Sequence, residues 1–208
     1  MNKKTKLLGM LLLTLVCIFA IPTQKAEAST KKIVKSKKHV IVTVTAFKDG
    51  ETFLVILKNN NKYPVSVKGN INFYEKNGAL ASQNRLIETV PTRKSISFVT
   101  SCYSDFKKIA ISINEVHKTQ IYNYENPSYL KITKTIKGRN GLTVKFKNID
   151  KKQSHSASYT SIFYNRKGEM IDFCEYSANV RKNGTLTTLF DTYVSYSKAK
   201  VFLSDIWW

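Results

Sequence analysis

This 208-residue chain says the same thing twice, at an interval the size of a domain. Phe53-Leu54-Val55-Ile56-Leu57-Lys58-Asn59 returns 89 positions later as Leu142-Thr143-Val144-Lys145-Phe146-Lys147-Asn148. Phe73-Tyr74-Glu75-Lys76-Asn77-Gly78 returns 90 later as Phe163-Tyr164-Asn165-Arg166-Lys167-Gly168, and Ile111-Ser112-Ile113-Asn114-Glu115-Val116 returns at that offset as Val201-Phe202-Leu203-Ser204-Asp205-Ile206. One register with a single one-residue slip accounts for all three pairs. Solenoid periods run to about 20–50 residues, so this longer one implies two copies of a small fold. Residues needed for chemistry should be those on which the copies agree. What agrees is strands and turns.

Inside each copy the apolar period is two. Val65, Val67, Gly69, Ile71 and Phe73 alternate with Ser66, Lys68, Asn70, Asn72 and Tyr74, which reads as a strand with one buried and one wet face. Leu142, Val144 and Phe146 alternate with Thr143, Lys145 and Lys147, and Val201 and Leu203 with Lys200, Phe202 and Ser204. Asn77-Gly78, Lys167-Gly168 and Asn183-Gly184 read as hairpin turns between such runs. No stretch after residue 28 carries a 3.6-residue apolar stripe. The expected fold is all-β: two tandem immunoglobulin-like β-sandwiches.

The N-terminus has the form of an export signal. Asn2 to Lys6 is basic, Leu7 to Ile21 is apolar, and Ala26-Glu27-Ala28 is a small-x-small cleavage site before Ser29. That apolar run is shorter than the roughly 20 residues of a membrane span. Cys17 lacks the small residue a lipobox needs just before it, since Val16 stands there. The expected map is a signal peptide over 1–28, a flexible basic arm over 29–38, one sandwich over 39–117, a connector over 118–127 and a second sandwich over 128–208. No transmembrane span is expected in the mature chain.

Removing the signal's four Lys and one Glu leaves 30 basic and 13 acidic residues, a net charge of +17. Such an excess implies attraction to anionic surfaces. For an exported bacterial protein these are anionic cell-wall polymer or another extracellular polyanion. Cys102 and Cys174 fall at non-equivalent places in the two copies, opposite Thr192 and Asn84. A disulfide inherited through duplication would put both cysteines in each copy, so two free, partly buried thiols are expected.

An apolar strand ending in Lys-Asn, a second ending Phe-Tyr-x-x-x-Gly and a late strand of alternating Ile or Val resemble the FxLYD-type and related immunoglobulin-like repeats of secreted Gram-positive proteins. The likeness spans both copies. It implies an extracellular, non-catalytic β-sandwich and transfers no binding residues. The second copy departs from the first: Tyr159 replaces Gly69 and Ser161 replaces Ile71, so its core is repacked.

Catalysis needs a nucleophile, a base and an orienting group brought together. Only Cys174 with His155 suggests one, and the first copy has neither residue. Asp172 and Glu175, three apart on a strand, face opposite sides. No metal-ligand spacing appears, and no cofactor is implied. The cations are more informative. If strands alternate in direction, the turn carrying Lys151 and Lys152 shares an end with the turn carrying Arg181 and Lys182. Lys62, Arg93 and Lys94 stand at the matching places in the first copy. These seven are the candidate polyanion contacts, although Lys and Arg also populate turns merely because turns are wet. Trp207 and Trp208 are candidate aromatic contacts, with pinning of the last strand as the blander role. Leu54 and Ile56 occupy a face that is polar in the second copy, so they are candidates for an inter-repeat contact or, failing that, for a protein partner.

The sequence therefore reads as a secreted, non-enzymatic binding protein held on anionic wall polymer. The first alternative is a secreted basic effector or toxin-like protein acting on membranes. The second is a cysteine hydrolase.

Overall fold

The period-two alternation folds into strands throughout. The computed structural model describes residues 32–120 and 129–204. The expected signal peptide, the start of the basic arm, most of the connector, and Trp207 and Trp208 lie outside the described residues. Among these residues no helix is long and apolar enough to cross a membrane.

The first half contains β1 (Ile33–Lys37), β2 (Val40–Ala46), β3 (Thr52–Asn59), β4 (Val65–Tyr74), β5 (Leu80–Val90), β6 (Ser95–Ser101) and β7 (Lys108–Lys118). The second contains β8 (Leu130–Lys137), β9 (Gly141–Asn148), β10 (His155–Tyr164), β11 (Met170–Val180), β12 (Thr185–Asp191) and β13 (Lys198–Leu203). They form a seven-stranded sheet, β1-β2-β3-β6-β13-β10-β11, and two three-stranded sheets, β5-β4-β7 and β12-β9-β8.

Each half is thus two layers of sheet closed over one core. In the first, β2, β3 and β6 face β4, β5 and β7 across Val42, Val55, Leu57, Ile71, Phe73 and Leu86. Phe53, Phe73 and Phe106 meet there with ring centroids 5.1–5.7 Å apart. In the second, β8, β9 and β12 face β10, β11 and β13 across Val144, Phe146, Phe163, Ala178 and Phe190. Each fully buried Phe contributes about 1.5–3 kcal/mol by leaving water. Phe73 and Phe163 point inward while Tyr74 and Tyr164 face out of the cores, as neighbours on a strand must.

The one-residue slip in the repeat has a definite place. Five residues link β3 to β4 and six link β9 to β10, while later elements keep the offset of 90. A second slip is confined to β8, where the register shifts between Ile132 and Lys134 opposite β9. The copies also differ at Gly69. There β4 shifts register against β7, and a Cβ would lie 2.1 Å from the Ser112 carbonyl oxygen. Tyr159 pairs with Leu203 and sends its ring to 4.6 Å from Phe146.

Two expectations need correction. The arm over 29–38 is not flexible throughout: Ile33–Lys37 forms β1, antiparallel to β2. Ile33 packs on the first core, and the Lys37 ammonium donates to the carbonyls of Ile113 and Asn114 on β7. The turn from β1 to β2 is Lys38-His39, with φ of 45° and 60°. That geometry is usual for Asn-Gly, so its sequence gave no turn signal. Conversely, Asn183-Gly184 is no hairpin, because it links β11 to β12 in a different sheet. Its αL residue, Asn183 at 51°, matches Arg93 at 53° in the first half.

The halves meet through outer faces. Strand β13 touches β6 in parallel at Leu203 and Ile96, and Leu203 packs against both cores. Phe47, Leu54, Ile56 and Val99 of the first half pack on Ile162, Tyr164, Met170 and Phe202 of the second. Lys48 N–H donates to the Met170 carbonyl at 2.9 Å across the joint.

Candidate functional site

The ends of the sandwiches are built by two equivalent asparagines. Asn148 closes β9 fully buried, and its side-chain amide donates to the carbonyls of Gln153 and Val180. Its Oδ1 accepts from Asp150 N–H. Asn59 does the same in the first half, donating to Tyr63 and Val90 and accepting from Asn61 N–H. An amide has donors and an acceptor on one stem, so a single side chain ties strand, loop and neighbouring turn together. The Lys-Asn motif shared by the copies is therefore scaffolding.

On that frame the two basic turns of the second half come together. Asn148 N–H donates to Gly184 at 3.0 Å, and Asn183 N–H donates to Asp150 at 2.7 Å. Lys151, Lys152, Arg181 and Lys182 are all exposed on these joined turns. In the first half Asn59 N–H donates to Lys94 at 2.9 Å, and Lys62, Arg93 and Lys94 are likewise exposed.

The one carboxylate in the second-half turns is turned inward. Asp150 Oδ2 lies 2.8 Å from Nε2 of His155, whose ring is 1% exposed and stacks on Tyr129 with centroids 4.5 Å apart. The hydrogen bond from His155, aided by Lys152 N–H, holds the Asp150 carboxyl below its ordinary value. The side chains of the four cations around it are exposed.

The cysteine pair suggested by the sequence does not form. Cys174 stands opposite Ser161 and Val180 opposite His155, so six residues of strand, about 20 Å, separate thiol and imidazole. Cys174 Sγ instead lies 3.4 Å from Asp191 Oδ1. Burial first, then that carboxylate, pushes the thiol up to about 11, which disfavours the thiolate a nucleophile requires. Both Cys102 and Cys174 are free. Asp172 accepts from the Thr192 hydroxyl and Glu175 from Thr160, so the two carboxylates serve different contacts. Among the described residues no group of three His, Cys, Asp or Glu could hold a metal ion.

Leu54 is 2% exposed within the joint between the halves, and Ile56 is half-buried beside it. Next to them runs an open cleft lined by Lys32, Lys48 and Lys58 of the first half and by Lys167 and Lys200 of the second. Sequence reasoning missed this lysine set because its members come from both copies at unrelated positions. One signal was available: Lys58 follows Leu54 and Ile56 on the same strand face.

No protein-family model matches the chain, and no curated protein is significantly similar to it. The functional reading rests on the chain's own sequence and geometry.

Proposed function

We propose that the chain is a secreted, non-catalytic binding protein of two immunoglobulin-like modules, retained on anionic cell-wall polymer by its basic turns. The immunoglobulin-like reading is supported by the strand order. In each half the first, second and fifth strands of the shared unit make one layer, and the third, fourth and sixth make the other. The first, second and fifth strands match A, B and E of an immunoglobulin-type sandwich and the third and sixth match C and F, with the fourth in the place of a C′ strand rather than of the constant-type D strand.

One observation carries the binding reading. Lys151, Lys152, Arg181 and Lys182 sit on two turns hydrogen-bonded to each other, and their sole carboxylate is engaged by His155. Four cations presented on a rigid frame meet a repeating polyphosphate without first having to order a loop, and the Arg guanidinium offers a fork that fits phosphate oxygens.

Titration of the purified protein with soluble polyglycerol phosphate tests this. Binding should weaken steeply between 0.1 M and 0.5 M salt, as screening shortens the reach of each charge. Reversing Lys151, Lys152, Arg181 and Lys182 to Glu should weaken it far more than reversing Lys35, Lys76, Lys107 and Lys131, which are exposed and scattered. Equal losses in the two variants, or a salt-independent affinity, overturn the reading.

A further inference from the structure

The joint between the halves leaves part of the outer face of β1, β2 and β3 uncovered, and the second half overhangs it. The resulting cleft encloses about 680 Å³, within the roughly 300–1,000 Å³ of small-molecule sites. Strand register lays out its floor. Val34 stands opposite Thr43 and Thr43 opposite Ile56, while Thr45 stands opposite Leu54 in the neighbouring row. Phe202 and Met170 supply the wall from the second half. Val34, although apolar, is 54% exposed at the edge of this lane.

The rim has the opposite character. Lys32, Lys48, Lys58, Lys167 and Lys200 line it, against the single carboxylate Glu169, which already accepts from the Asn165 side-chain amide. Among the described residues none of these lysines makes an ion pair. Five ammonium groups around one concavity repel one another, and an anion bridging them would relieve that repulsion.

We propose that this cleft binds an anionic lipid, with an acyl chain along Val34, Ile56 and Phe202 and a phosphate head among the lysines. A free phosphate would leave the apolar floor unused. An acidic peptide would find no strand to pair with on the floor, because β2 and β3 are paired on both sides, and one added along the free edge of β1 would leave the apolar floor unused. The site uses different residues from the basic turns and stands independently of the wall-polymer reading.

The test is calorimetric titration of the purified full chain with 1-acyl-glycerol 3-phosphate below its aggregation concentration. Glycerol 3-phosphate and the uncharged monoacylglycerol should each bind at least about tenfold more weakly than the complete lipid. Val34→Glu and Lys58→Glu alter exposed side chains, so they should leave the unfolding midpoint in place while each weakens lipid binding about fivefold or more. The fourfold reversal at Lys151, Lys152, Arg181 and Lys182 should leave it unchanged. The proposal is overturned by absence of lipid binding, by head group or neutral lipid binding equally well, or by unchanged affinity in both cleft variants. Equal loss in the fourfold reversal, or equal binding of an oligoglutamate peptide, also overturns it.

Discussion

The two halves share their strands from β2 and β8 onward, yet they place their apolar surface on opposite sides. In the first half the outer face of β3 is apolar, with Leu54 and Ile56; in the second the same positions are Thr143 and Lys145. On the next strand the order reverses: Ile162 on β10 replaces Asn72 on β4, and Phe202 on β13 replaces Ser112 on β7. Each substitution falls on a face that the other half covers. Duplication supplied two identical modules, and burial at the joint then separated their sequences face by face. Away from the joint the asparagines that close the strand ends stayed alike, as Asn59 and Asn148 show, although the cores differ at Gly69 and Tyr159 and at Ile71 and Ser161. Two remnants break the pattern: Leu80 and Leu189, counterparts of joint residues Met170 and Val99, remain about half exposed.

The largest expected asymmetry is at the joint. Leu54→Ala should cost about 2–5 kcal/mol in urea unfolding, because it opens a cavity in a packed contact. Thr143→Ala should change stability by no more than about 0.5 kcal/mol. Similar losses at both positions would mean that the halves are held together elsewhere.

Symmetry is expected at the buried asparagines. Asn59→Ala and Asn148→Ala each strand buried carbonyls and N–H groups, so each should cost about 1–3 kcal/mol. Differential scanning calorimetry should show comparable losses; a loss in one half alone would refute their common role.

A smaller effect separates the cores. Ile71 becomes Ser161 in the second half, and the Ser161 hydroxyl is buried with no hydrogen-bond partner among the described residues. Removing it in Ser161→Ala should stabilise the second half by about 1 kcal/mol, read as a raised urea midpoint. Destabilisation would show that the hydroxyl is satisfied in solution.

The last comparison concerns pH. Asp150 and His155 stand where the first half has Asn61 and Val65. The Asp150 carboxyl is lowered in the folded state, so its contribution is complete above the ordinary value of about 3.9 and is lost as pH falls below it through the folded value. Asp150→Asn should flatten the acid limb of the stability profile between pH 5 and 2, whereas Asn61→Asp should leave His155's loop unaffected. An unchanged acid limb in Asp150→Asn would remove the pair from the account.

The all-β class, the two halves and the inward and outward sets of β4 and β9 were legible because alternation over one buried face leaves a direct imprint on sequence. At β13 the residues read as wet include Phe202, which packs in the joint, and Ser204, which is buried. The basic turns were legible for a related reason, since antiparallel strands return alternate turns to one end. Strand β1 was not legible: two lysines and a serine among five residues hide a strand whose buried content is one side chain, Ile33, and whose Lys37 ammonium finds carbonyls on a distant strand. The arch at Asn183-Gly184 looked like a hairpin because a positive φ serves either connection. The cleft lay beyond reach of the repeat altogether, since it is built where the copies differ.

The joint between the halves is made from two unlike surfaces, the outer face of β3 and β6 and the outer face of β10 and β13. A contact of that kind does not close on itself, and chains carrying both surfaces free would add end to end into a filament. Here each surface is apolar mainly in one half, with Leu80 and Leu189 left of its counterpart in the other. The matching ends of the molecule instead present Lys68 and Asn70 on β4, and Lys145 and Lys147 on β9. Bringing those faces together would set lysine against lysine, which works against a third copy adding through the same kind of contact.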